Sequence, residues 1–410
     1  MKRTHLSLLV SILFFIISCG FSIYEVFHRG YISTVDLAVY RQAGYDLFHN
    51  IPLYSNSFGT NLNVRLGYVY PPITSLVFIP FSLVSMNLTK WIWTVLSIAE
   101  LLAVIKICFS KFLESNKKYE IPFWLIIAGL MLWISPMYNN LIYGQIDILI
   151  LTIVLTDLVF LQNNKRPKWL PQGLLTGIAA AFKLVPAIFI LYFLITADFK
   201  KLKNSLIAFA SLTLFGFIIM PSDSSTYWFH YLENTGRNDN AWYFTNQSLD
   251  GILRRLSPNH WTDIWIPLAL AILIFGMLSA IRAHKNNDEF LAIILVGTTG
   301  IIISPISWIH ECVWIIPIIG YILGSGKKLS GIIFSLIYYI FATLELLQIG
   351  KRILEHNGSR ITGNLLENCL GLSLILMLLI LSTINPIMAR ISNLKSTDVD
   401  ITPGVQKGSV

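Results

Sequence analysis

Charge is scarce in this 410-residue chain: 13% of residues are Asp, Glu, Lys or Arg, where a soluble domain carries roughly 25%. Cysteine is scarce too. Cys19, Cys108, Cys312 and Cys369 show no ligand spacing and lie mostly in or beside apolar runs, so they read as small core residues, neither disulfides nor metal ligands. No Gly-rich phosphate loop follows a strand pattern, and no His/Cys pair has metal-binding spacing. The longest polar stretch, Pro221 to Thr262, is too short for a separate catalytic domain. These absences exclude a soluble nucleotide-binding enzyme, a zinc module and a disulfide scaffold.

What fills the chain is apolar. Hydrophobic residues make up 55% and the mean hydropathy is +0.65, with membrane-length runs recurring from end to end. The chain reads as an all-α, polytopic membrane protein whose chemistry must be built from helix ends and loops at the bilayer surface. The net charge of +8 does not indicate nucleic acid. The basic residues gather in short loops instead: Lys165, Arg166 and Lys168; Lys200, Lys201 and Lys203; Arg282 and Lys285; Lys327 and Lys328. That is the bias of cytoplasmic loops.

Spans are expected near 6–27, 88–110, 121–137, 146–162, 171–183, 185–198, 205–220, 264–281, 290–303, 313–324, 331–347 and 365–388, about twelve in all. Both termini would be cytoplasmic, and the first run a retained signal-anchor. The run from Tyr70-Pro71-Pro72 to Met86 is assigned to a helix lying in the outer interface, because counting it as a span would put Lys111, Lys117, Lys118 and the later basic loops outside. Residues 170–198 have basic flanks on both sides, which implies two short helices broken at Phe182-Lys183-Leu184-Val185-Pro186. Residues 1–388 form one membrane-embedded domain, with 389–410 a disordered cytoplasmic tail.

On this topology the outward segments carry the candidate chemistry. Asp36 lies just beyond the first run, at the start of an amphipathic helix with the apolar stripe Leu37, Tyr40, Gly44, Leu47 and Phe48. It could be a general base facing a cavity, with Tyr40 one turn away, or half of a capping pair with Ser33. Lys183 in an apolar break is costly in lipid, by about 2.5–3.5 kcal/mol on insertion scales, and has little to snorkel toward. An anion in a cavity, above all a lipid phosphate, is the better reading. Arg254 and Arg255 could clamp phosphate or sit at the headgroup level. Ser304-Pro305-Ile306-Ser307-Trp308-Ile309-His310-Glu311 offers His310 as a donor and Trp308 as a stacking face. Tyr143-Gly144-Gln145-Ile146-Asp147 is a further outward polar break. Asp398-Val399-Asp400 only mimics a metal-binding pair, and the sequons at Asn87 and Asn246 are formal.

Taken in order, several short stretches resemble the membrane-embedded GT-C glycosyltransferases. More narrowly, the chain is similar to the polyprenyl-phosphate-mannose-dependent family that contains the mycobacterial α-1,2-mannosyltransferases of phosphatidylinositol mannosides and lipomannan. The carriers are Val35-Asp36-Leu37-Ala38-Val39-Tyr40, Tyr70-Pro71-Pro72, Tyr143-Gly144-Gln145, Gly177-Ile178-Ala179-Ala180 running to Lys183-Leu184-Val185-Pro186, Asn246-Gln247-Ser248-Leu249, and Ser304 to His310. The ordered set covers most of residues 30–315. The family often has a second histidine where Glu311 stands here.

The resemblance implies a GT-C helical bundle and an inverting transfer of mannose from polyprenyl-phosphate-mannose to a glycolipid or lipoglycan acceptor, forming an α-1,2 linkage. The reaction would occur on the extracytoplasmic face of the plasma membrane, by a monomer needing no metal and no cofactor. Asp36 would be the catalytic base. Lys183, Arg255 and His310 would bind the donor phosphate, and Tyr40, Gln145, Asn246, Gln247 and Trp308 the rest of the substrates. Two other readings stand beside it: a lipid-linked sugar flippase or transporter, and a GT-C enzyme for another sugar.

Overall fold

The computed structural model describes residues 2–29, 34–54, 58–59, 65–162, 166–232, 241–356 and 358–397. It is an all-helical assembly apart from one two-residue antiparallel pair, Phe58–Gly59 with Arg65–Leu66. Four helices are long and apolar enough to cross a bilayer alone: Thr4–His28, Met86–Cys108, Phe199–Ile219 and Trp261–Lys285. Three bent helix pairs would bring the number to seven. The protein is thus an all-α membrane protein. Several of the twelve expected segments are shorter apolar helices, among them Val185–Ile195, Glu289–Ile303 and Ile309–Leu323.

Burial sorts these helices as their composition requires. Glu289–Ile303 is apolar all round, and its residues Leu291 to Ile302 are all buried, making it the central strut. The first helix instead leaves Leu6, Leu9, Leu13 and Ile17 exposed, a face suited to lipid.

The expected basic loops meet at one end. Arg166 donates to the Asp157 carboxylate at 2.7 Å, and Asp157 in turn accepts from the Thr176 amide at 2.9 Å. Asn204 donates to the Gln172 carbonyl at 2.8 Å. Tyr192 and His284 both bond Glu289, and Tyr321 bonds Asp288. From this end the Leu174–Phe182 helix rises only nine residues, about 13 Å, before it stops at Lys183. The freed Phe182 carbonyl is received by the Thr74 hydroxyl at 2.8 Å, so the broken span ends on a partner.

The segment at 70–86 forms the short helix Ser75–Ser82, which packs on the Val35–Phe48 helix. The approach is close: a Cβ at Gly44 would lie 2.5 Å from the Phe78 carbonyl carbon. Phe48, expected on the buried stripe, is exposed; it falls at the last position, beyond the reach of Ser75–Ser82 packing. The last helix, Cys369–Thr397, runs on past residue 388, so 389–397 is helical where a disordered tail was expected. Asp398-Val399-Asp400 and Ser33 lie outside the described residues.

Candidate active site

Three breaks in the helices converge on one point. At the first, the chain turns 71° between Lys117–Met131 and Ser135–Tyr143, with Pro136 at the second helix's start. That second helix ends at Gly144, whose φ of 70° suits glycine, and a Cβ there would meet Leu37 Cβ at 2.5 Å. Gly144 therefore both stops the helix and lets the Asp36 helix lie against it. It delivers Gln145 and Asp147, the latter opening the Asp147–Leu155 helix. The second break presents Lys183. The third, the turn Ile309–Trp314, presents His310 and Glu311 and packs on Ser135–Tyr143.

Asp36 is half-buried, and its Oδ2 accepts from Gln145 Nε2 at 2.8 Å. Gln145 Oε1 accepts from Tyr40 at 2.6 Å and from Tyr70 at 3.0 Å, while Tyr40 also reaches Tyr70 at 3.1 Å. Trp93 Nε1 donates to the Gln145 carbonyl at 3.3 Å. The amide is thereby oriented, and it presents its NH2 to the carboxylate. Asp36 is the second residue of its helix, which begins at Val35 with Thr34 as the flanking residue. Its side-chain bond goes to Gln145, across the fold. Burial pushes its pKa up to about 6, against the lowering effect of the Gln145 hydrogen bond; Asp147 raises it further and Lys183 lowers it.

Beyond Tyr70 lies Lys183, 5.4 Å from the centre of that ring. Its ammonium bridges two carboxylates, Asp147 Oδ1 at 2.5 Å and Glu311 Oε1 at 3.0 Å. His310 Nε2 stands 3.8 Å from Asp147 Oδ2, beyond hydrogen-bond reach, and its ring meets Tyr143 edge-on at 6.1 Å. Asp147, Lys183 and Glu311 line one small cavity of about 20 Å³ whose remaining walls include Val185, Phe189 and Trp314. The structure therefore gathers Asp36, Tyr40, Gln145, Lys183 and His310 around one polar centre.

It does not bring Arg255, Asn246 or Gln247 there as free groups. Arg255 has five N–H donors, and the structure gives it five contacts: Asn368 Oδ1 twice, at 2.9 and 2.7 Å, and the carbonyls of Trp242, Tyr243 and Asn246. All five donors of Arg255, expected to bind the donor phosphate, are thus engaged within the fold. Asn246 Oδ1 accepts from the Ser307 and Ser248 amides, and its NH2 donates to the Ala241 and Pro305 carbonyls. Gln247 donates to Phe244 and Glu367 carbonyls and accepts from Gly371 N–H. Both amides tie the 241–248 segment to residues 305–308 and 367–371. Trp308 pairs with Asn246 as an isolated backbone bridge, and its side chain is half-buried.

Three residues of the cluster were absent from the expected site: Asp147, Glu311 and Tyr70. The first two had a signal. A lysine inside a membrane needs a counter-ion, and both are carboxylates set at the edges of apolar runs. Tyr70 had only its place in the Tyr70-Pro71-Pro72 stretch of the family resemblance, since nothing in local spacing separates it from an interface-belt tyrosine.

The profile of glycosyltransferase family 87 matches residues 68–305, more than half of the chain. The chain belongs to that family. Family 87 relatives carry names that bear on the site. A polyprenol-phosphate-mannose-dependent alpha-(1-2)-phosphatidylinositol mannoside mannosyltransferase of Mycobacterium tuberculosis is 31% identical over 316 residues, 73% of this chain and 72% of the relative. A protein of the same name from Mycolicibacterium smegmatis is 30% identical, covering 70% of this chain and 68% of its own. A pentamannoside mannosyltransferase of M. tuberculosis is 27% identical, covering 72% and 68%. No solved structure matches the chain. The family 87 assignment makes the protein a membrane glycosyltransferase. Asp36 and His310 lie outside the matched segment, and the fold carries them to Gln145 and Asp147 within it.

Proposed function

We propose that the protein transfers mannose from polyprenyl-phosphate-mannose to a mannosylated phosphoinositide or related glycolipid, inverting the anomeric centre and forming an α-1,2 bond. The names of the family 87 relatives support the donor and the linkage. The observation that carries the mechanism is the position of Asp36, a half-buried carboxylate oriented by Gln145 in the same polar centre as Lys183 and His310.

In this mechanism Asp36 takes the proton of the acceptor hydroxyl as its oxygen attacks the anomeric carbon. The bond from that carbon to the phosphate oxygen breaks on the opposite face, and the electron pair leaves with polyprenyl phosphate. Phosphate is a good leaving group, so no general acid is needed; the charge that grows on it has to be stabilised. Lys183 spends two of its three N–H donors on Asp147 and Glu311, which holds it charged and leaves the third for a phosphate oxygen. His310 is the second donor. Tyr40 and Trp308 flank the acceptor and the sugar. The pocket lies away from the end where the basic loops meet, which favours an extracytoplasmic site in a GT-C bundle of about twelve spans.

Purified protein incubated with polyprenyl-phosphate-mannose and phosphatidylinositol mannosides should yield an acceptor heavier by one hexose, with linkage analysis giving the 1,2 bond. Movement of labelled lipid-linked sugar across liposomes with no new glycosidic bond would establish the transporter reading instead. Transfer from another lipid-linked sugar, with none from mannose, would change the substrate and keep the chemistry.

A further inference from the structure

Lys183 has more counter-charge than it needs. One ammonium faces two carboxylates, both more than nine-tenths buried, and each spends only one oxygen on it. The other oxygens, Asp147 Oδ2 and Glu311 Oε2, are buried and have no hydrogen-bond partner. His310 is too far to serve Asp147 at 3.8 Å. The Ser307 hydroxyl lies beside the Glu311 carboxylate, but its hydrogen goes to the Ile301 carbonyl at 2.7 Å. A buried acceptor without a donor is costly, and here there are two, flanking one cation. The arrangement calls for a ligand that brings hydroxyl donors on either side of an anion. A bare phosphate cannot do that, because its oxygens accept and would meet two negative charges.

We propose that Asp147 and Glu311 are sugar-gripping residues: their free oxygens accept hydrogen bonds from hydroxyls on the transferred sugar's ring carbons nearest the anomeric centre, while Lys183 between them takes the phosphate. This rests on the donor class proposed above and goes beyond it by assigning sugar recognition to the carboxylate pair. A glycosyl phosphate has the matching pattern, an anion on the anomeric carbon with a ring hydroxyl on the next carbon. Charge balance points the same way. With two carboxylates beside it, Lys183 is a poor trap for phosphate alone, so lipid phosphate is captured well only when it arrives with its sugar. Polyprenyl phosphate, the product, has lost those hydroxyls and is released. Either carboxylate alone still neutralises Lys183, so single amide variants leave no orphaned buried cation.

The test is binding of two lipids to full-length protein in detergent: polyprenyl phosphate and polyprenyl-phosphate-mannose. The wild type should prefer the sugar-bearing lipid at least tenfold. Asp147→Asn and Glu311→Gln should each cut that preference about tenfold, chiefly by weakening the sugar-bearing lipid, with bare polyprenyl phosphate bound as well or better. Melting temperature and bare-lipid affinity report folding independently. A 2-deoxy sugar on the same lipid should bind the wild type less well, and one of the two variants, the one that has lost the carboxylate gripping that hydroxyl, no differently from the parent sugar. If both lipids lose affinity alike, or the variants keep the wild-type preference, the carboxylates do not read the sugar and the inference fails. If the preference behaves as stated but no mannose reaches any glycolipid, this inference stands and the transferase reading of the previous section is the one lost.

Discussion

Two buried polar knots in this molecule are built on opposite plans. The knot of Asn246, Gln247 and Arg255 is closed: every donor on Arg255 and both side-chain amides have partners within the fold. The cluster of Asp147, Lys183 and Glu311 is open, with two carboxylate oxygens unmatched and one lysine N–H uncommitted to either carboxylate. Saturated polar groups rigidify; unsaturated ones wait for something. The difference separates a staple from a site, although both consist of the residue types expected to bind phosphate and sugar.

Each half of the contrast can be broken. The largest effect belongs to Lys183→Ala, which strands two buried carboxylates. Loss of one partner from a buried pair costs about 3–5 kcal/mol, so melting temperature should fall sharply and donor binding disappear. Lys183→Arg should recover the stability more than the turnover. Arg255→Ala comes next. It leaves Asn368 Oδ1 and three carbonyls without their donor, and a charged hydrogen bond contributes roughly 1.5–3 kcal/mol. Thermal stability should drop while the protein that remains folded keeps its donor KM. A raised donor KM at unchanged melting temperature would return Arg255 to the phosphate.

Gln145→Leu sharpens the comparison inside the open site. Because transfer needs ionised Asp36, activity should rise with pH through about 6 and level off above it. Removing the Gln145 bond takes away an interaction that favours the ionised form, so the rising limb should move to higher pH. A pH–rate profile that does not move would make Gln145 merely structural. The smallest effect is expected from Thr74→Val, which leaves the Phe182 carbonyl unsatisfied beside the helix break and should cost about 1 kcal/mol, read as a modest fall in melting temperature.

Much of this fold is legible in the chain, because lipid imposes a strong pattern. The break at Lys183 and the helix beginning beside Asp36 follow from apolar runs interrupted by a charge; the 71° bend before Ser135–Tyr143 falls inside the span expected at 121–137. The membership of the polar centre is legible for Asp36, Tyr40, Gln145, Lys183 and His310, which stand out as polar residues at the mouths of apolar segments. Sequence spacing cannot distinguish Arg255, whose five bonds go to Asn368 and to the carbonyls of Trp242, Tyr243 and Asn246, from Lys183, whose bonds are made to carboxylates 36 and 128 positions away. Which donors are used up is a tertiary property.

The most direct test of the account replaces one oxygen. Asp36→Asn keeps the shape and the Gln145 neighbour, so the purified variant should melt like the wild type and bind polyprenyl-phosphate-mannose unchanged, while single-turnover transfer falls by about 10²–10⁴-fold, the usual worth of a general base. Transfer at near wild-type rate by a folded Asp36→Asn protein would contradict the assignment of the base, and with it the mechanism built on this pocket.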